Sequence, residues 1–387
     1  MDFALSDDQK AIVDGIGRTV EPFDDAYWLE RDRDGEFPHA FYDAVAAGGW
    51  LGISLPEAYG GAGLGVAEAA LMMGTIAGSG GAMAAASSVH MNVFGPRAIV
   101  AHASEEQKRR WLPPLIEGGF KMCFAVTEPD AGLDTTRIAT RADRDGAFYV
   151  VRGQKIWTST AQVSGKIMLL ARTAPRRDDA PTEGLSLFFT DLDRDAARVR
   201  EIEKMGRKAV DSNEIWFDGM RVPESDRIGE EGKGFRYILE SLNPERILVA
   251  AEAVGIGRDA VRRAARYAGE RVVFGRPVGA NQGIQHPLAA SWSALEAAHL
   301  ATMKAAWLYD RGESCGVEAN AAKYLAVEAG FEACKQAVAS HGGMGYAREF
   351  HVERLLREIV MLQLAPVSQH LALNHIAERA LGLPKSY

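Results

Sequence analysis

The sequence predicts an α+β fold laid down as helices, then strands, then helices. Three observations support this. Residues 1–121 carry helical patterns broken by glycine-rich turns, residues 122–234 switch to short β-rich runs, and residues 235–387 return to long patterns rich in Ala, Glu and Arg. We expect a helical N-terminal domain (1–121), a middle β-domain folded as an antiparallel barrel or sandwich (122–234) and a C-terminal four-helix bundle (235–387). A chain of 387 residues is long enough for two or three packed units.

In the first part, Ser6-Asp7-Asp8-Gln9 and Ser104-Glu105-Glu106-Gln107 fit the capping box, in which the first and fourth side chains satisfy exposed helix amides reciprocally. Gly60-Gly61-Ala62-Gly63 and Gly78-Ser79-Gly80-Gly81 interrupt the pattern, and the Ala- and Met-rich run from Ala67 to Met73 reads as a buried helix. The strand expectations are Phe148–Val151, Ile167–Leu170, Leu185–Phe189 and Glu214–Phe217, with the charged, proline-containing stretch Arg172–Glu183 as an exposed loop. The bundle helices are expected at Ile247–Ala268, Pro287–Asp310, Ala319–Ser340 and about Leu364–Leu381.

Composition narrows the function. Apolar residues make up 47% and charged residues 25%, as in a globular protein with a large core. A balance of 44 basic against 52 acidic residues, net -8, argues against a general role on nucleic acid or a membrane surface. No basic-then-apolar leader opens the chain, and no stretch approaches the roughly 20 apolar residues that span a bilayer. Cys123, Cys315 and Cys334 are too few and scattered for a disulfide framework or a zinc site, so a reducing cytoplasm is the expected setting, and no metal is expected.

Three segments carry chemistry: Val126-Thr127-Glu128-Pro129-Asp130-Ala131-Gly132-Leu133-Asp134, then Glu270-Arg271-Val272-Val273-Phe274-Gly275-Arg276-Pro277, then His341-Gly342-Gly343-Met344-Gly345-Tyr346 followed by Val352-Glu353-Arg354-Leu355 and Arg357. Singly, each has an ordinary reading: a turn before a strand, a solvated helix charge, a helix cap followed by a loop. Jointly and in order they span essentially the whole chain, and the chain resembles the acyl-CoA dehydrogenase family. The resemblance implies a three-domain fold, usually in a homotetramer, and bound FAD. It places Thr127 and the Val126 backbone against the flavin, Trp157 as an aromatic wall with Thr158 and Ser159 beside it, Arg271 on the pyrophosphate across a subunit boundary, and Phe274 near the adenine. Gly342 and Gly343 would let backbone approach the cofactor. Asn281, Gln282, Ala339, Ser340, Ser368 and His370 match further cofactor positions, and Leu133, Asn243, Arg246 and Val367 match substrate positions.

The implied reaction removes an α proton and a β hydride from an acyl-CoA thioester, giving the trans-2-enoyl-CoA, with an electron-transferring flavoprotein as acceptor. It needs a free, partly desolvated carboxylate as base and donors on the thioester oxygen. Many relatives carry that base near the start of the last helix, where this chain reads Ala365-Pro366-Val367-Ser368 and has proline instead. Others, acting on long or branched chains, carry a glutamate before an arginine on an earlier helix, and here Asn243-Pro244-Glu245-Arg246 supplies Glu245. As a structural residue, Glu245 would be a first-turn carboxylate after Pro244 at the first helical position, its pKa lowered by the helix dipole unless burial offsets it. Pro366 has no N–H to hold the thioester oxygen, a donor worth about 3 kcal/mol, so Val367 is expected to donate instead. Two other readings keep the fold: a flavin oxidase or monooxygenase, which often lacks the base, and an inactive acyl-CoA-binding flavoprotein.

Overall fold

The computed structural model describes residues 3–386. Seven helices come first: α1 (Asp7–Val20), α2 (Asp25–Asp34), α3 (His39–Ala47), α4 (Val66–Ile76), α5 (Ala82–Phe94), α6 (Arg97–His102) and α7 (Glu105–Ile116). Both capping boxes form. The Ser6 hydroxyl accepts from the Gln9 N–H at 3.1 Å while Gln9 Oε1 accepts from the Ser6 N–H at 3.2 Å, and Ser104 and Gln107 repeat the exchange at 3.2 and 2.9 Å. The second glycine run lies in a π-turn, Ala77–Gly81, where Gly80 takes φ 102° and lets α5 leave α4 at an angle. By length and composition the helical stretch Val66–His102 could cross a membrane, against the expectation that no run could. In this fold 78% of its most apolar window is buried within the protein.

Eight strands follow: β1 (Met122–Ala125), β2 (Arg141–Asp145), β3 (Phe148–Ser159), β4 (Lys166–Arg172), β5 (Leu185–Asp191), β6 (Ala197–Glu201), β7 (Ser212–Pro223) and β8 (Arg227–Ile228). They join in one sheet in the order β6-β7-β3-β2-β4-β5-β8, with β1 beside β4. The expected antiparallel barrel is corrected on two points. The hydrogen-bonded path stays open between β6 and β8, and β1 and β2 both pair with β4 in parallel. Parallel pairing needs a long crossover, and the β2–β3 hairpin between β1 and β4 supplies it. β4 is buried on both faces: Met168 and Leu170 pack with Trp111, Leu112 and Leu115 of α7, whereas Ile167 and Leu169 pack with Tyr149, Val151 and Ile215 of the sheet. Arg172, expected in an exposed loop, is instead buried at the end of β4 and donates to the carbonyls of Ile138, Thr136 and Glu183.

The rest of the chain is α8 (Gly234–Leu239), α9 (Leu242–Glu270), a hairpin of β9 (Val272–Val273) and β10 (Arg276–Pro277), then α10 (Gln282–Asp310), α11 (Gly316–His341), α12 (Val352–Leu364) and α13 (Gln369–Arg379). The single helix expected over Leu364–Leu381 is wrong. Proline at 366 removes a helical donor and disfavours helical backbone at Ala365, so α12 stops at Leu364 and α13 starts afresh behind the Ser368 cap.

Helix α9 runs through the centre of the bundle and also carries α4 on its flank. The two backbones nearly touch: a Cβ on Gly255 would stand 2.1 Å from the Gly74 carbonyl oxygen. Gly255→Ala therefore has to push α4 off α9, and we expect a loss of about 2 kcal/mol, read as a lower melting temperature. An unchanged melt would show that this crossing can relax.

Candidate active site

Glu245 lies in the first turn of α9, its N–H donating to the Ser241 carbonyl at 3.1 Å. The helix opens at Leu242, so Pro244 is its third residue rather than its first, and its missing N–H still falls among the donors a helix start leaves unpaired. The Glu245 side chain is 6% exposed and makes no hydrogen bond or ion pair among the described residues. Burial pushes its carboxyl up to about 7, with Glu252 adding to the rise and His90 and Arg246 pulling against it. The helix start favours the ionised form, and burial outweighs it.

Below this carboxylate lies a buried pair that sequence reading missed. His90 on α5 and Glu252 on α9, 5% and 0% exposed, meet at 2.7 Å between Nδ1 and Oε1. Burial alone would lower the imidazole, but Glu252's charge and hydrogen bond outweigh it, so His90 is held above its ordinary value. Arg207, in the loop between β6 and β7, opposes that rise and donates to the hydroxyls of Ser159 at 3.1 Å and Ser212 at 2.7 Å. A signal was present: Glu252 is the lone charge in the apolar run Ile247–Ile256, and His90 stands in the same way in the run Ala82–Phe94.

On the sheet, β1 and β3 bring Val126, Thr127, Trp157, Thr158 and Ser159 together. The Thr127 carbonyl accepts from the Ile156 N–H at 2.9 Å and the Val126 carbonyl from Lys155 Nζ at 2.8 Å. Lys155, fully buried, also pairs with Glu128 at 2.8 Å, and Glu128 accepts from the N–H groups of Ala139 and Thr140 at 2.6 and 2.9 Å. Burial pulls Lys155 down to about 8 although Glu128 resists. This buried ion pair, also absent from the sequence reading, pins the loop that presents Thr127.

Trp157 is 57% exposed and held at φ 60°, a strained backbone for an aromatic residue, and the adjacent Thr158 Oγ1 is buried without a partner. A half-bare ring turned out of the sheet beside a free hydroxyl fits a flat, polar-edged ring system such as a flavin. Leu133 lies exposed on the loop between β1 and β2.

Apart from Ser368 and His370, the remaining cofactor candidates occupy the far end of the bundle. Arg271 caps α9, and Phe274, fully exposed at φ 52°, forms the hairpin tip. Asn281, the cap of α10, accepts from Arg276 at 2.6 Å, and Gln282 beside it is exposed. Tyr267 stacks on His341 with ring centroids 4.2 Å apart, so the end of α11 lies beside this hairpin. There Ala339 is exposed and Ser340 buried. Gly342 takes φ 60° and ψ -136°, a backbone that demands glycine. A Cβ on either Gly342 or Gly343 would meet open space, so none of the described residues requires glycine at 343. Glu245 and Glu270, near opposite ends of α9, lie about 38 Å apart at the rise of an α-helix. The chain therefore does not bring Arg271, Phe274 and Gly342 to its own carboxylate.

Nearer to Glu245, Asn243 accepts from Arg246 at 3.1 Å while Arg246 Nε is buried without a partner. Pro366 is exposed, and the N–H of half-buried Val367 is donated to no atom among the described residues. Ser368 caps α13 by accepting from the Leu371 N–H at 3.3 Å, with His370 exposed beside it.

Helical, sheet and helical domains with an exposed aromatic shelf and a buried free carboxylate fit a flavin-dependent oxidoreductase, the class to which its relatives belong. The chain belongs to the acyl-CoA dehydrogenase family: the profiles of its N-terminal, middle and C-terminal domains match residues 6–119, 123–220 and 232–381. It is 35% identical over 389 residues to the acyl-CoA dehydrogenase FadE12 of Mycobacterium tuberculosis, covering 100% of this chain and 99% of that protein. It is 34% identical over 331 residues to the caffeyl-CoA reductase-Etf complex subunit CarC of Acetobacterium woodii, covering 85% of this chain and 86% of that one. The butyryl-CoA dehydrogenase structure from Megasphaera elsdenii superposes with a TM-score of 0.93 at 28% identity, covering 99% and 100% of the two chains.

Two stability predictions follow from these buried charges. Lys155→Met leaves the Glu128 carboxylate without its cation and should cost about 3 kcal/mol in denaturant unfolding. A change under 1 kcal/mol would mean the backbone N–H donors suffice. For Glu245 the folded carboxyl near 7 lies above its unfolded value of 4.5, so the native state holds the extra proton between these pH values and loses stability as pH rises through them. Glu245→Gln removes that penalty, so it should stabilise the protein by up to about 3 kcal/mol at pH 8 and by little at pH 4.5. A melting temperature unchanged at pH 8 would contradict the burial argument.

Proposed function

We propose that this chain dehydrogenates an acyl-CoA thioester between its α and β carbons to the trans-2-enoyl-CoA, with Glu245 as the base. The supporting observation is the Glu245 carboxylate itself, buried, free of partners and lifted to about 7. A general base works best when its pKa lies near the working pH, and a carboxylate tied up in hydrogen bonds could not take a carbon-bound proton. FAD, when bound, accepts the hydride that leaves the β carbon.

Trp157 would supply the shelf for the ring, with Thr127, Thr158 and Ser159 along its polar edge. Val367 would hold the thioester oxygen: its N–H is undonated and follows the proline that cannot serve, and an amide aimed at developing enolate charge lowers the barrier. Asn243 keeps the Arg246 guanidinium beside the base. Arg271, Phe274, Asn281 and Gln282, far along α9, would complete the cofactor site of a second copy, which makes a homo-oligomer, a tetramer by family habit, part of this reading. Electrons would pass to an electron-transferring flavoprotein, the kind of complex to which the relative CarC belongs.

A flavin oxidase or monooxygenase of this fold often lacks the carboxylate base, so Glu245 argues against that reading. The test is anaerobic flavin bleaching by a panel of acyl-CoA thioesters. In the native protein the bleaching rate should rise about tenfold per pH unit up to roughly pH 7 and then level, because only ionised Glu245 takes the proton. Glu245→Gln should bind thioester yet bleach about 10³-fold more slowly. Bleaching at the native rate in that variant would remove Glu245 from the mechanism.

A further inference from the structure

Glu245 and Glu252 stand two turns apart on one face of α9, and α5 lies against that face. An α5–α9 contact lined by alanine, valine and leucine needs no charges. Even so, two ionisable groups are buried there, and one of their oxygens, Glu252 Oε2, has no partner. Replacing such a pair by packed apolar side chains is commonly neutral or stabilising, so its presence points away from a purely structural purpose.

We infer that His90, bonded to Glu252 across the α5–α9 contact, is a positioning residue for Glu245, holding positive charge beside the base without hydrogen-bonding it. This rests on the reading of Glu245 as the base. The geometry fits the task. His90 Nδ1 is committed to Glu252 at 2.7 Å, so the imidazole cannot also capture Glu245 through that atom. A direct bond would tie up the lone pairs that must take a carbon-bound proton, whereas a cation bonded to Glu252, two turns along α9, favours the ionised carboxylate and leaves it free.

Three further charged groups bear on the pair, and they have other ties. Arg246 follows Glu245 on α9 and is bonded to Asn243. Glu252 acts on Glu245 with opposite sign to His90 and ranks below it. Arg207 from the middle domain opposes the charge on His90 but spends its hydrogen bonds on Ser159 and Ser212. The helix that carries His90 is itself anchored at its start: Glu358 Oε2 accepts from the Ala84 N–H at 2.8 Å, and Arg354 donates to the Gly80 carbonyl at 2.7 Å. The resulting arrangement gives Glu245 charge support from a side chain that is bonded to Glu252 and makes no hydrogen bond to Glu245 itself.

The test uses the holoenzyme and the pH profile of anaerobic bleaching. His90→Gln removes the charge and should move the acid limb upward by about one pH unit. Bleaching at pH 6 should then fall about tenfold, while at pH 9 it stays within about twofold of the native rate. The double variant His90→Gln with Glu252→Gln keeps an amide-to-amide bridge between the helices and, because it also removes the opposing charge of Glu252, should move the limb in the same direction by less, which covers the case in which the single variant fails to fold. Independently of flavin, the His90 ring nitrogens in ¹⁵N NMR, identified by their loss in His90→Gln, should report an imidazolium at pH 6. A loss uniform across pH, an unmoved acid limb in both variants, or a neutral ring at pH 6 would each overturn the inference. Should Glu245→Gln abolish bleaching while the His90 variants leave the limb in place, only His90's role falls. Should Glu245→Gln bleach normally, the base assignment falls first.

Discussion

A carboxylate in a dry place with nothing to bond to is an unstable object, and the rest of this structure can be understood as what holds Glu245 in that state. The start of α9 puts it there, behind Ser241 and Pro244, at a helix end whose free amides favour negative charge. Burial works the other way and wins, leaving the group balanced near neutrality. A proton acceptor of that strength arises only where two opposing influences of similar size meet, and no single neighbour provides it.

Buried polar chemistry is concentrated along the same seam. His90 and Glu252 bridge α5 and α9, Arg354 and Glu358 of α12 fasten the start of α5, and Arg207 reaches in from the sheet to Ser159 beside the aromatic shelf. Each group is expensive to bury, and several of their atoms, including Arg354 Nε and Glu358 Oε1, lack hydrogen-bond partners. Outside this seam and the Lys155–Glu128 pair, most of the core is aliphatic and aromatic. The polar network therefore marks where the helical domains and the sheet meet around the base, as expected where chemistry overrides packing.

Much of the fold was legible because it is locally encoded. The capping boxes at Ser6 and Ser104, the long helices α9, α10 and α11, and strands β3, β4, β5 and β7 follow from spacing and composition. Strands β1, β2, β6 and β8 were missed: they are short or charged and owe their state to the neighbours they pair with. The break between α12 and α13 hinged on one proline whose effect on helix was underweighted. In the candidate site, the motif residues could be named because they sit in ordered segments, but Lys155, His90 and Glu252 matter through contacts between distant parts of the chain. For His90 and Glu252 a lone charge in an apolar run was the only trace in the sequence.

Strand β4 has a consequence for how the molecule comes apart. Alternate side chains along it belong to different cores, Met168 and Leu170 to the helical side and Ile167 and Leu169 to the interior of the sheet. Excising the middle segment would bare one complete face of this strand, and peeling away the first helices would do the same from the other direction. The sheet is thus a shared wall between two compartments, and it ties their melting into one event: a limited-proteolysis fragment ending near residue 120 has no surface of its own on which to close.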